Sequence, residues 1–291
     1  MCIGEYFYNK SLNPKTDKEF VLGIIEQTEE EKQKSEEYAK WIAENSEDVY
    51  IKTTNNGNLK LHSYKLNNNT SNTWVIVIHG YMLYGKGMAE YARNFYQKGY
   101  NVLVPDLRGH GESEGEYVGM GWHDRLDIID WINYLIQKNP DCKIIIFGVS
   151  MGAATTMMVT GENLPSQVKL AIEDCGYTSA WEQFGYNLKC IFHLPKFPVL
   201  YLASRSCKKH ANYGFQDASS IEQVKKSKTP TLFIHGNEDD FVPYKMLDEL
   251  YNAASCPKEK LVINGAKHGK AASVNPVLYW NTIDKFIAKY L

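Results

Sequence analysis

Short apolar runs alternate with longer amphipathic segments over most of this chain. The runs have the length of strands buried on both faces, and the segments between them have helical periodicity. The apolar runs are Trp74–Ile78, Asn101–Val104, Lys143–Phe147, Lys169–Glu173, Thr231–Ile234 and Leu261–Ile263, and the helical segments include Met88–Gln97, Gly121–Lys138, Gly152–Thr160 and Pro276–Tyr290. This alternation predicts an α/β fold with a mostly parallel central sheet and helices on both faces.

Two segments depart from this rhythm. Residues 26–48 are rich in Glu and Lys with apolar residues at helical spacing, so we expect residues 1–48 to form an N-terminal helical extension packed on the core. Residues 177–228 contain prolines, many aromatics and a basic patch, and we interpret them as a cap insertion over the carboxyl ends of the strands, where ligands bind. The core then comprises residues 49–176 and 229–291.

The core is expected to begin with a hairpin. Val49–Thr53 and Leu59–Lys65 read as two strands, and the Asn-Asn-Gly-Asn sequence at 55–58 is a turn signal between them.

Composition excludes several classes of protein. Lys and Arg number 32 against 34 Asp and Glu, so no strong field favours a nucleic-acid partner. No stretch approaches the roughly 18 apolar residues of a membrane span, and no signal peptide is evident. The six cysteines lack C-x-x-C or zinc spacing, which predicts reduced thiols, no metal and a cytoplasmic location. Nothing in the pattern indicates an oligomeric state.

One glycine motif carries the main chemical hypothesis. The strand Lys143–Phe147 runs into Gly148-Val149-Ser150-Met151-Gly152, and a helix follows at once. Such a turn holds the serine hydroxyl out for nucleophilic attack, and the positive end of the helix faces the oxyanion that forms. We therefore predict that Ser150 is a nucleophile; the alternative is a tight glycine turn with an idle serine.

A serine nucleophile needs a histidine base and an acid that orients it. The histidines after Ser150 are His193, His210, His235 and His268. His268 is the candidate because it lies between the last strand and the last helix, whereas His235 ends a core strand and is expected to pack or hydrogen-bond beneath the next loop. The acid stays open among Glu238, Asp239, Asp240 and the earlier Asp174.

The oxyanion requires two N–H donors. Met151 N–H follows the nucleophile, and Tyr81 N–H lies in the His79-Gly80-Tyr81 loop after the first core strand. His79 is expected to brace this loop and to have no catalytic role.

Several motifs together resemble the α/β-hydrolase superfamily from about residue 50 to the end. They are His79-Gly80-Tyr81, Asp106-Leu107-Arg108-Gly109-His110-Gly111-Glu112-Ser113, the Ser150 elbow, His235-Gly236-x-x-Asp239-x-x-Val242-Pro243 and Lys267-His268-Gly269. The resemblance selects Asp239 as the acid and implies a structural loop at 106–113. Within the superfamily the chain is similar to bacterial carboxylesterases, to cinnamoyl and feruloyl esterases and to prolyl-oligopeptidase relatives.

This resemblance implies hydrolysis of a small-molecule ester through an acyl-enzyme, without a metal or other cofactor. The alternatives are a small peptidase or aminopeptidase-like enzyme, a thioesterase or lipase, and a non-enzymatic binding module. In the cap, Trp181, Phe184 and Phe192 are candidates for an apolar acyl or aryl pocket, although they could equally pack the cap onto the core. We expect short-chain esters to react faster than long-chain ones.

Overall fold

The computed structural model describes residues 2–16, 28–54 and 57–291. Residues 26 and 27 of the predicted N-terminal helix and residues 55 and 56 of the predicted turn lie outside these ranges.

The described residues form one eight-stranded sheet in the order β1-β2-β4-β3-β5-β6-β7-β8. The strands are β1 (Glu47–Lys52), β2 (Lys60–Leu66), β3 (Thr73–Ile78), β4 (Asn101–Pro105), β5 (Lys143–Val149), β6 (Val168–Asp174), β7 (Thr231–Gly236) and β8 (Lys258–Ile263). The strand β2 is antiparallel to both neighbours, and all pairs from β4 to β8 are parallel. The carboxyl ends of the parallel strands therefore share one edge.

Helices connect most of these strands and precede the first of them. They are α1 (Ile3–Leu12), α2 (Glu29–Asn45), α3 (Ala89–Gln97), α4 (Asp124–Lys138), α5 (Met151–Thr160), α6 (Ala180–Phe192), α7 (Val199–Ala211), α8 (Ser220–Val224), α9 (Lys245–Ala253), α10 (Ala271–Val274) and α11 (Pro276–Tyr290), with a 3₁₀ turn at Gly85–Met88. The helices α6, α7 and α8 occupy the segment interpreted as a cap. Helix α1 falls within the predicted N-terminal helical extension, whereas α9 and α10 were not predicted from the sequence.

Alternate residues of the central strands pack on opposite faces of the sheet, because successive strand side chains point in opposite directions. In β3, Trp74, Ile76 and Ile78 join a buried cluster with residues of α4 and α5. Val75 and Val77 join a second cluster with residues of α3 and α11. The prediction of a mostly parallel sheet with helices on both faces is confirmed.

The N-terminal helix α1 packs on α7. Its contact is close at Gly4, where a Cβ atom would lie 2.5 Å from the Leu202 carbonyl oxygen. The buried residues of α1 are Gly4, Phe7, Tyr8 and Leu12, which lie on one face at helical spacing. Among the described helices, none is long and apolar enough to cross a membrane.

The loop after β4 is fixed by buried charges. Asp106 is fully buried and accepts hydrogen bonds from the backbone N–H groups of Gly85 (2.6 Å) and Glu112 (2.9 Å). Two residues later, the Arg108 guanidinium donates two bonds to Asp127 on α4, at 2.7 and 2.6 Å. The buried ion pair ties this loop to the helix behind it.

Loss of one partner of that buried pair should destabilise the fold strongly. Replacing Arg108 with Met leaves the Asp127 carboxylate buried without its cation, which typically costs about 3–5 kcal/mol. Urea unfolding measures this change in free energy. The matched control is Lys32→Met in the exposed Lys32–Glu29 pair, where about 0–1 kcal/mol is expected. Equal effects of the two substitutions would contradict the role given to Arg108.

Candidate active site

Ser150 lies on a strained turn between β5 and α5. Its φ of 58° and ψ of −118° are unfavourable for a residue with a Cβ atom. The flanking glycines allow this turn: a Cβ on Gly148 would lie 2.2 Å from the Gly152 carbonyl oxygen, and one on Gly152 would lie 2.1 Å from that of Ile78. Ser150 N–H also donates to the Asp174 carbonyl at 2.8 Å. The hydroxyl is thus held at the amino end of α5.

The structure brings Ser150, His268 and Asp239 together. Their hydrogen bonds form a chain, with 2.8 Å between Ser150 Oγ and His268 Nε2 and 2.7 Å between His268 Nδ1 and Asp239 Oδ2. The three residues come from different loops, after β5, β8 and β7 respectively. The imidazole therefore has one nitrogen toward the hydroxyl and the other toward a carboxylate.

Asp239 is buried and held by several donors. Its Oδ1 accepts hydrogen bonds from the N–H groups of Phe241 (3.0 Å) and Val242 (2.8 Å), and His235 Nε2 lies 3.2 Å from Oδ2. Burial alone would raise the pKa of Asp239, but the bonds to His235 and His268 outweigh it and lower the pKa to about 2. At neutral pH the carboxylate is ionised.

The other acidic candidates do not contact the imidazole of His268. Glu238 and Asp240 are exposed. Asp174 is buried at the end of β6, where its Oδ2 accepts a hydrogen bond from the Tyr279 hydroxyl at 2.8 Å. Burial raises the pKa of Asp174 to about 6.

The loop after β3 lies against the serine. A Cβ on Gly80 would be 3.4 Å from Ser150 Cβ, so the backbone that leads into Tyr81 borders the hydroxyl. His79 braces this loop, because its Nε2 accepts from Leu107 N–H (3.0 Å) and its Nδ1–H then donates to the Gly80 carbonyl (2.8 Å). Burial lowers the pKa of His79 to about 3, so the ring is neutral.

Met151 N–H lies at the first residue of α5, next to the serine. Tyr81 and Met151, whose N–H groups are the predicted oxyanion donors, both line a cavity beside Ser150.

A narrow apolar cavity of about 60 Å³ opens beside Ser150. Phe184 and Phe192 line this apolar cavity, as does Phe7 from α1. Trp181, also proposed for the pocket from the sequence, is not among the described lining residues, and its ring packs against Tyr201 at 4.8 Å.

Most wall residues of this apolar cavity were not singled out from the sequence, and Phe7, Ser11 and Phe241 are examples. Phe7 and Ser11 lie far from the other motifs along the chain, and no local signal connects them with the serine. Phe241 was visible within the Asp239 motif, but its position in the wall depends on the turn that Asp239 fixes.

A wider groove of about 590 Å³ opens on the other side of the serine. His268, Gly269 and Lys270 line this charged groove together with residues of α2 and α3. Its charged side chains are Glu30, Glu31, Lys34, Lys86, Glu90 and Lys270. Ser150 and Tyr81 border both spaces, and the charged groove also has apolar side chains in its lining, among them Met82, Leu83 and Tyr91.

One group of residues has the composition of a metal site. Within the described residues, Cys175, Asp239 and His268 each place a potential ligand atom within 4.8 Å of the others. Two of the three already share a hydrogen bond, and a metal bound there would take the imidazole away from Ser150. A reaction without metal or cofactor stays a prediction.

The fold and part of the sequence are similar to known hydrolases. Residues 69–187 match the family model described as serine aminopeptidase, S33. The esterase Pf2001 of Pyrococcus furiosus superposes with a TM-score of 0.69 at 25% identity, over 86% of this chain and 95% of that one. A Thermogutta terrifontis esterase, at 17% identity and a TM-score of 0.58 over 84% and 98% of the chains, shares the fold. These matches and the fold support an α/β-hydrolase superfamily hydrolase.

Relatives with similar sequences come from bacteria and animals. The uncharacterised protein YqkD of Bacillus subtilis is 29% identical over 219 residues, which are 75% of this chain and 72% of YqkD. The lysophosphatidylserine lipase ABHD12 of Danio rerio is 28% identical over 174 residues, 58% of this chain and 42% of the lipase.

Glu173 is a third buried acid near the site, besides Asp239 and Asp174. Its ionisation should affect how the stability of the protein depends on pH. Glu173 is fully buried, its Oε2 accepts from Gly176 N–H at 3.0 Å, and its Oε1 has no hydrogen-bond partner in the described part of the chain. Burial raises the pKa of Glu173 to about 8, although nearby His235 partly opposes the shift. The folded protein therefore keeps a proton that the unfolded chain loses near pH 4.3.

The free energy of unfolding should fall by about 1.4 kcal/mol per pH unit between the unfolded-state pKa of about 4.3 and the folded-state pKa of about 8, because the folded state binds the extra proton. Glu173→Gln has the shape of the neutral acid and cannot ionise, so this contribution to the pH dependence of the unfolding free energy should disappear. Urea midpoints at pH 5, 6.5 and 8 compare the two proteins. A stability difference that stays constant over this range would contradict the assignment.

Proposed function

We propose that this hydrolase cleaves carboxylic esters through an acyl-enzyme, with Ser150 as nucleophile, His268 as base and Asp239 as the orienting acid. The observation that carries the proposal is the hydrogen-bonded chain of these three side chains on a strained turn at the amino end of a helix. A serine hydroxyl becomes an effective nucleophile when an adjacent base accepts its proton.

The first step forms the acyl-enzyme. Ser150 Oγ attacks the substrate carbonyl carbon while His268 Nε2 takes the hydroxyl proton, and ionised Asp239 stabilises the resulting imidazolium. The N–H groups of Tyr81 and Met151 are proposed to bind the oxyanion, where the amino end of α5 adds a favourable dipole. Collapse of the tetrahedral intermediate breaks the bond to the alcohol, which leaves with the proton from His268.

Water completes the cycle. His268 removes a proton from the attacking water, and the second tetrahedral intermediate releases the carboxylic acid and restores the Ser150 hydroxyl. None of these steps requires an electron acceptor or an added group. The small apolar cavity beside Ser150, which we call the acyl cavity, favours short acyl groups over the long chains of a lipase or thioesterase substrate.

A peptidase is the second candidate, because the matching family model is described as a serine aminopeptidase. A panel of peptide nitroanilides beside the ester panel separates the two functions. The proposal expects ester turnover to exceed amide turnover.

Acyl-chain length gives a direct test of the proposed function. We expect p-nitrophenyl acetate and butyrate to have kcat/KM values at least about tenfold above that of the decanoate, since each methylene that does not fit costs a factor of this order. Ser150→Ala should abolish turnover and also labelling by a fluorophosphonate probe. Faster turnover of the decanoate would contradict the short-chain proposal, and an unlabelled Ser150 in the folded protein would contradict the enzyme proposal.

The choice of acid is tested by two matched substitutions. Asp239→Asn should lower kcat by a factor on the order of 10⁴, because an amide cannot hold the required tautomer or stabilise the imidazolium. Asp174→Asn should stay within about tenfold of the wild type, since Asp174 pairs with Tyr279. A larger loss in the Asp174 variant than in the Asp239 variant would reverse the assignment.

A further inference from the structure

The two compartments beside Ser150 can be assigned to different parts of the substrate, an inference that rests on the proposed function. His268 must deliver its proton to the departing alcohol, so that alcohol has to lie on the side where His268 is exposed. His268 lines the charged groove and is not among the described residues of the acyl cavity. The alcohol therefore occupies the charged groove, and the acyl group points into the apolar cavity.

The N-terminal helix forms part of the wall of the acyl cavity. Phe7 of α1 lies in its wall, and the Phe7 ring meets that of Phe192 edge-on with centroids 5.3 Å apart. The cavity volume of about 60 Å³ corresponds to roughly four to six water molecules, so the space accommodates a group of only a few heavy atoms.

Contacts at both ends hold α1 in this position. The Tyr81 hydroxyl donates to the Ser11 carbonyl at 2.5 Å, and Val118 N–H donates to the Leu12 carbonyl at 2.8 Å. Glu5 lies 2.9 Å from His210 on α7. The wall is therefore a packed part of the site, although it precedes the residues that match the family model.

The charged groove has a different chemistry. Lys270, two residues after His268, is paired with Glu31 at 2.5 Å, and Lys34 is paired with Glu30 at 2.8 Å. Lys86 contacts the Tyr64 ring at 5.6 Å and has no carboxylate partner among the described residues. These groups can donate and accept hydrogen bonds, and Met82, Leu83 and Tyr91 add apolar surface to the same groove. A hydroxyl-bearing alcohol can bond to the charged groups, whereas a wholly apolar alcohol would desolvate them without replacing their water.

We propose that the substrate is an ester of a short apolar acid and a polar, hydroxyl-bearing alcohol, with Phe7 setting the length of the acid and Lys86 binding the alcohol. The recognition of the two halves is then separable: a change in the cavity alters preference for the acid alone, and a change in the groove alters preference for the alcohol alone.

Four esters test this proposal: glyceryl and pentyl esters of butyric and of octanoic acid. With the wild type, glyceryl butyrate should have a kcat/KM at least about tenfold above those of pentyl butyrate and glyceryl octanoate. Equal or faster turnover of pentyl butyrate would overturn the assignment of the groove, and equal or faster turnover of glyceryl octanoate would overturn that of the cavity.

Substitutions in each compartment make the test specific. Phe7→Ala should raise the octanoate-to-butyrate ratio about tenfold, and Phe7→Trp should lower it, with the glyceryl-to-pentyl ratio unchanged in both. Lys86→Met should lower the glyceryl-to-pentyl ratio severalfold and leave the chain-length ratio unchanged. Controls are Ile3→Ala, an exposed residue of α1, and Lys228→Met, an exposed lysine before β7.

The outcomes distinguish this inference from the proposed function. If the wild type hydrolyses esters but Phe7→Ala and Phe7→Trp leave the chain-length ratio unchanged, the role of α1 is wrong while the esterase proposal stands. If Lys86→Met shifts the chain-length ratio instead, the two halves are not recognised separately. Absence of any ester turnover, with Ser150 unlabelled, would contradict both the esterase proposal and the assignment of the two compartments. Thermal unfolding of each variant shows whether a lost effect reflects lost structure.

Discussion

The site depends on a close backbone approach that only glycine permits. Gly152, at the start of α5, lies so near the end of β3 that a Cβ would come within 2.1 Å of the Ile78 carbonyl oxygen. Gly148 allows an equally close approach within the turn itself. These contacts bring the amino end of α5 to the loop after β3, and they hold Ser150 in a backbone conformation with a φ of 58°. The packing around the turn compensates for this unfavourable backbone conformation.

The parallel sheet supplies the rest of the site. Loops after β3, β5, β7 and β8 leave the same edge, so residues far apart in the chain meet there. Hydrogen bonds fix two of these loops. His79 bonds to the backbone of the loop after β3, and two backbone N–H groups donate to Asp239 after β7. The positions of Ser150, Asp239 and His268 are therefore set largely by backbone contacts and buried side chains.

Much of this architecture was predictable from local patterns. Buried strands are short, apolar and bounded by turns, and the segment from Trp74 to Ile78 showed all three features. The positions of Ser150 and His268 followed from their places after strands, since a catalytic loop in such a sheet begins where a strand ends. The choice of Asp239 over its acidic neighbours needed the family pattern, because composition alone does not show which carboxylate turns inward.

The residues that line the acyl cavity were harder to predict from the sequence. In α1, Gly4, Phe7, Tyr8 and Leu12 form a buried helical stripe, yet the helix is short and its polar residues weaken the pattern. Even a correct helix assignment would not have placed Phe7 near Ser150, because that contact depends on packing between distant segments. Trp181 shows the converse: an aromatic residue in the right segment packs elsewhere, on Tyr201.

Two buried acids near the site show how the number of donors decides the charge of a carboxyl group. Burial raises the pKa of both Asp239 and Glu173, but Asp239 has two backbone N–H donors and two neighbouring imidazoles, whereas Glu173 accepts one bond, from Gly176. The pKa of Asp239 accordingly falls to about 2 and that of Glu173 rises to about 8. Because His235 lies between them, a neutral Glu173 leaves Asp239 as the main partner of that ring. The fold thus keeps the Asp239 charge in contact with His268, where an imidazolium would form, and leaves Glu173 neutral.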